Sequence, residues 1–233
     1  MTPVRKTAAS MSTRDAVYAS AATLFAARGF DGVSMDDVAR NAGVNKAMIY
    51  YHFADKLALY RAIVGDGLHM MSDTVGAIAA SIDSPPAKLD RFIEAFVRMT
   101  ESRPWMPAMM LREIAEGAPR LDPATMGHMR GVVGGFVTIL KQGQDAGVFR
   151  AVHPVLAYES IVGPIIINAA RERVSAQPGR VHQSFPLLVD IPHDQLIAHN
   201  QEAAKRMLAT DGVDRARAAD GTDKPRATEG TDK

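Results

Sequence analysis

The segment from Ala42 to Lys56 reads AGVNKAMIYYHFADK. It crowds an amide (Asn45), two ammonium groups (Lys46, Lys56), two phenols (Tyr50, Tyr51) and an imidazole (His52) into little more than one short helix. All of these groups can donate to phosphate oxygens, and a short helix carrying them fits a major groove. The same residue types also build catalytic pockets. The rest of the chain gives that second reading little support. It has no cysteine, so thiol nucleophiles and thiolate metal sites are excluded. It has no glycine-rich phosphate loop and no paired catalytic motif. Its seven histidines lack the spacing of a helical metal pair; His193 and His199 are six apart. No catalytic residue, metal ligand or cofactor is assigned.

Helices must position these groups. Residues 13–28 carry apolar side chains near helical spacing, with Gly29 as the stop. Phe30-Asp31-Gly32 forms a turn. Ser34-Met35-Asp36-Asp37 reads as a capping box with aspartate in the glutamate place, opening a helix that ends near Ala42. Gly43 supplies the left-handed turn. Asn45 caps a second short helix through about Tyr51. Ala39 is small where two helices cross closely, and Val44 and Ile49 hold the second helix to the first. This is a helix-turn-helix. It leaves Asn45, Lys46, Ala47, Tyr50, Tyr51 and His52 for an outward face, with Tyr51 the more exposed of the adjacent tyrosines.

Further helices are expected from about Lys56 to Met71 or Ile82 (ended by Pro85-Pro86), Lys88 to Ser102, the Pro104/Pro107 region to Glu116, Pro123 to Asp145, Pro154 to Ala170, and Pro192 to Leu208. Residues 177–191 read as a loop. No alternating strand pattern appears, so the fold class is all-α. Four parts follow: a flexible arm over 1–12, a helix-turn-helix domain over 13–59, a helical ligand-binding and dimerisation domain over 60–209, and a disordered tail over 210–233. The tail is poor in large apolar residues and repeats GTDK.

Hydrophobic residues form 47% of the 233, enough for a sizeable core. The net charge is +1, so a nucleic-acid reading rests on local charge: residues 1–60 hold seven cationic residues against five acidic ones. No apolar run approaches the ~18 residues of a membrane span. A cytoplasmic protein without a membrane partner is expected.

Residues 13–64 resemble the DNA-binding domain of the tetracycline-repressor (TetR) family. The resemblance lies in AATLFAARGFDGVSMDDVARNAGVNKAMIYYHFADKLALYRAIV, with its Phe-x-x-x-Gly-Phe turn, Ser-x-x-Asp-Val-Ala helix, Ala-Gly-Val turn and Ile-Tyr-Tyr-His-Phe-x-x-Lys in order. It covers the first quarter of the chain; the remainder resembles the family only in length, helix count and order. It implies a homodimeric regulator, usually a repressor of a palindromic operator, released by a small molecule. Carried over, Ser34 is a helix cap near phosphate. Asn45, Lys46 and Ala47 open the recognition helix. Tyr50, Tyr51 and His52 close it, Tyr51 and His52 toward the backbone, and Lys56 grips phosphate. Ala47 departs from the glycine or threonine frequent there; it can touch a thymine methyl but cannot hydrogen-bond.

In the larger domain, Phe96, Met99, Trp105, Met109, Met110 and Phe136 are adaptable apolar side chains suited to a small apolar or amphipathic effector. Arg112, Glu113 and His128 could orient its polar group. Residues 155–170 are apolar nearly all round and need cover on several sides. Ile161, Ile165 and Ile166, with Leu196 and Ala203 of the last helix, are the expected dimer interface. The alternative is a helical enzyme or adaptor bundle built on the Arg112–His128 region.

Overall fold

The computed structural model describes residues 12–175 and 191–210. The expectations for 1–11, 177–190 and 211–233 lie outside the described residues. Among the described residues nine helices form and no strand: α1 Thr13–Arg28, α2 Met35–Ala42, α3 Lys46–His52, α4 Lys56–Ala80, α5 Pro85–Ser102, α6 Met106–Glu116, α7 Pro123–Asp145, α8 Pro154–Ser175 and α9 His193–Leu208. The class is all-α, as the sequence indicates.

Side-chain caps fix most of the starts. Ser12, Ser34, Asn45, Asp55 and Asp122 each accept a backbone N–H in the first turn of the helix that follows. α4 runs to Ala80, close to the longer of its two expected ends. Two boundaries differ from expectation. The Pro85-Pro86 pair opens α5 three residues earlier than Lys88. Proline lacks only an N–H that the first turn does not use, so it starts a helix as readily as it stops one. α8 continues past Ala170 to Ser175 despite Pro164 within it.

α1, α2 and α3 close around Phe25, Val38 and Ile49. α4 leaves this unit and packs along α7, where two glycines permit close approach. A Cβ on Gly131 would meet the Ser72 hydroxyl, and one on Gly135 would lie 2.6 Å from Val75 Cγ1. α5 sits between α4, α7, α8 and α9. Phe92, Phe96, Phe136 and Tyr158 form its aromatic centre, with ring centroids 4.9–6.4 Å apart.

The interface residues expected from the sequence are largely corrected here. Ile161, Ile165 and Leu196 are buried within the subunit. α8 packs on α5, α6, α7 and α9, so its inner faces are covered by its own chain. Ile166 is half-buried and turns to an internal cavity. Of the five, only Ala203 faces outward. The exposed apolar row of α8 is instead Leu156 and Ile167, 62% and 66% exposed, on the face that also carries Gly163.

Candidate nucleic-acid interface and its attached cavity

α2 and α3 are locked by local hydrogen bonds. The Ser34 hydroxyl accepts from the Asp37 N–H at 3.1 Å and donates to its carboxylate at 2.7 Å; the Ser34 N–H donates to the same carboxylate at 3.0 Å. These bonds, with one from Arg40, hold the Asp37 carboxyl down at about 2. Gly43 ends α2 at φ +68°, a conformation favourable only without a Cβ. Asn45 Oδ1 accepts the Ala47 N–H at 2.9 Å, so its oxygen is used by the cap and its NH2 group remains outward.

Ile49 is fully buried and sets the rotation of α3. Successive helical residues point about 100° apart. Asn45, Ala47, Tyr50 and Tyr51 are therefore exposed together, Tyr51 at 80% and Tyr50 at 48%. His52 is half-buried with its ring edge-on to Tyr51, 5.1 Å between centroids. Lys46 reaches back to Asp36 at 2.8 Å, which orients its ammonium beside the N-terminus of α2. Met48 belongs to the same exposed face, although the sequence reading passed over it. Helical phase relative to Ile49 was the signal; its apolar character argued for core.

Lys56 is placed differently. Its ammonium donates to the carbonyls of Phe30 and Val33, each at 3.1 Å, and lies 4.2 Å from the Phe30 ring centre. Lys56, expected from the sequence to grip phosphate, thus spends two of its three N–H donors on the α1–α2 turn. The carbonyls of that turn have no helical partner, and a cation at the start of α4 satisfies two of them.

Helices α4, α5, α6, α7 and α8 enclose a cavity of about 190 Å³. Of the nine residues expected to bind a ligand, Phe96, Met99 and Met110 line it. Trp105, Met109, Arg112, Glu113, His128 and Phe136 do not. Met109 and Phe136 are core. His128 stacks on His69 across α4 and α7, 4.7 Å between rings. Of the other three, Trp105 and Arg112 face α1, and Glu113 is buried against Tyr60 of α4. Trp105 sets its ring against Tyr18 of α1. Arg112 donates to the Ala27 carbonyl at 3.3 Å. Glu113, fully buried, accepts from the Tyr60 hydroxyl at 2.7 Å and from Arg120 at 2.9 Å. Helical periodicity explains the division: residues 106, 110 and 114 form one stripe of α6, and 109, 112, 113 and 116 another. The cavity residues that the sequence reading missed include Tyr158 and Val162, which share a face of α8 with Ile166 at four-residue spacing.

Arg120 ties α6 to the α1–α2 turn. It pairs with Glu113 and Glu116, stands 3.6 Å from Asp31, and lies over the Phe30 ring at 5.0 Å. Arg112, Glu113 and His128 are therefore spread over three separate contacts and form no common cleft, so the enzyme alternative has no assembled site at these residues. Among the described residues no helix is long and apolar enough to cross a membrane.

Comparison with known proteins agrees with this geometry. Residues 17–63 match the family model for bacterial regulatory proteins of the tetR family. A segment of 51 residues is 39% identical to the biofilm operon icaADBC HTH-type negative transcriptional regulator IcaR of Staphylococcus aureus, covering 22% of this chain and 27% of that protein. The Staphylococcus epidermidis counterpart is 37% identical over the same length. The chain thus aligns with about a quarter of these relatives' length. Similarity of fold extends much further. A ketosteroid transcriptional regulator of Mycobacterium tuberculosis superposes with a TM-score of 0.70 at 20% identity, over 89% of this chain and 100% of the other. The regulator PfmR of Thermus thermophilus gives 0.64 at 23% identity, over 83% and 99%. The segment from α1 to the start of α4 thus matches the tetR family of bacterial regulatory proteins, and the helical architecture beyond it is similar in fold to these solved regulators.

Proposed function

We propose that the protein is a transcriptional repressor that binds a palindromic operator as a homodimer and leaves it when a small molecule fills the cavity. The observation that carries the reading is the outward face of α3. Asn45, Ala47, Met48, Tyr50 and Tyr51 are exposed side by side on a helix whose opposite face is pinned by Ile49. A lone reading helix covers one half-site, so tight binding needs a second copy spaced about 34–36 Å away. The exposed Leu156 and Ile167 of α8, with half-buried Gly163 between them and Ala203 of α9, form the surface for that copy. α6 supports the coupling. One stripe lines the cavity, and the other bonds α1 at Ala27 and α4 at Tyr60. A ligand that shifts α6 would shift the reading head.

The test is fluorescence anisotropy with duplexes from the DNA beside the coding region. Binding at nanomolar protein is expected, with two subunits per half-site pair. Tyr51→Ala should weaken it at least tenfold with an unchanged helical spectrum. Absence of any sequence-preferring binding would sink the reading.

A further inference from the structure

None of the sixteen residues lining the cavity carries a charge; five are methionines, and Tyr158 supplies the one polar side chain among them. The Tyr158 hydroxyl has no hydrogen-bond partner among the described residues, and burial alone pushes it up to about 12, so it remains a neutral O–H donor at physiological pH. Its ring is held edge-on to Phe136 at 5.6 Å, Phe96 at 6.3 Å and Phe92 at 6.4 Å. It is thus pre-positioned by packing. Leu111 and Ile114, both exposed, continue the apolar lining toward solvent.

We propose that this cavity selects neutral, mostly apolar molecules carrying one hydrogen-bond acceptor, such as a medium-chain ketone or ester, which Tyr158 holds through its hydroxyl. Carboxylates and ammonium ions are rejected. The inference rests on the reading of the cavity as the effector site and gives that site its ligand chemistry. An ion entering here would lose its hydration and find no countercharge in the lining. A neutral carbonyl loses less and regains one hydrogen bond. The volume of about 190 Å³ modestly exceeds the ~150 Å³ of an apolar cavity that takes up benzene. A single ring or a medium alkyl chain therefore fits, and five thioether side chains can reshape around either.

Calorimetric titration of the full-length protein without DNA tests this, with 2-nonanone, nonanoate and toluene as probes. The ketone should bind at least tenfold more tightly than the carboxylate of equal chain length. Tyr158→Phe removes one oxygen and keeps the ring. It should weaken the ketone about three- to tenfold, the worth of one hydrogen bond, and leave toluene unchanged. Val133→Phe, which fills the cavity while keeping it apolar, should abolish binding of both, with the fold checked by thermal melting. The inference is overturned if nonanoate matches the ketone, if Tyr158→Phe leaves the ketone unaffected or weakens toluene equally, or if none of the probes binds. Ketone binding that depends on Tyr158 yet leaves operator affinity unaltered would uphold the ligand class and remove the effector reading.

Discussion

Lys46 and Lys56 are ten residues apart and look alike in the sequence, but the fold gives them different work. Lys46 holds its ammonium at the surface beside Asp36. Lys56 bonds two carbonyls of the α1–α2 turn. Lys46→Ala should therefore reduce the salt slope of DNA binding by about one unit without altering stability. Lys56→Met should cost about 1–3 kcal/mol in urea denaturation, because two carbonyls lose a charged donor. If Lys56→Met instead changes only the salt slope, the turn-fixing role is wrong. Arg120 is the other residue whose meaning depends on the fold. Its loss leaves Glu113 buried without its cationic partner, so Arg120→Leu should destabilise by about 3–5 kcal/mol.

Among the elements, α2 owes its start to one reciprocal pair, Ser34 and Asp37. The Asp37 carboxyl is lowered from its ordinary 3.8 to about 2 in the folded chain. Its contribution is therefore present above the unfolded value and is lost as pH falls from about 4 toward 2. Asp37→Asn should flatten that part of the acid-denaturation curve and leave the neutral-pH shape alone. α7 offers a sharper comparison. Gly135 faces Val75 so closely that a Cβ would overlap it, whereas nothing lies within 4 Å of a Cβ on Gly134. Gly135→Ala should destabilise by about 1–3 kcal/mol through overpacking. Its neighbour Gly134→Ala should stabilise by about 0.5–1 kcal/mol, since the unfolded chain loses freedom and the helix gains propensity. Thermal melts of the two variants moving in the same direction would contradict the α4–α7 packing.

For the whole molecule, the proposed dimer face separates two isoleucines two positions apart. Ile165 is fully buried in the subunit, and Ile167 is on the outside. Ile165→Glu should unfold or aggregate the chain. Ile167→Glu should leave each subunit folded and convert the dimer to monomer in sedimentation, with loss of operator binding. A folded Ile167→Glu dimer would place the interface elsewhere. If the cavity governs operator release, linkage requires operator DNA to weaken ligand binding by the same factor by which ligand weakens DNA binding.

The sequence by itself determined the helix-turn-helix and its outward face. Caps, the Gly43 turn and the 3.6-residue period are local, so Ser34, Asn45, Ile49 and Tyr51 could be assigned from neighbours a few positions away. The same local rules placed most helix boundaries in the second domain. They could not say which stripe of α6 meets the cavity and which meets α1, because methionine occurs in both and the charged Arg112 and Glu113 could equally face a ligand, solvent or a neighbouring helix. Met109 and Met110 are adjacent, and only packing sends one to the core and the other to the cavity. The all-round apolar pattern of α8 likewise showed that the helix needed cover, but not that α5, α6, α7 and α9 supply most of it. Tertiary structure decided those questions, since a side chain's partner across 50 or 100 residues depends on how whole helices cross and leaves no periodic trace in the chain.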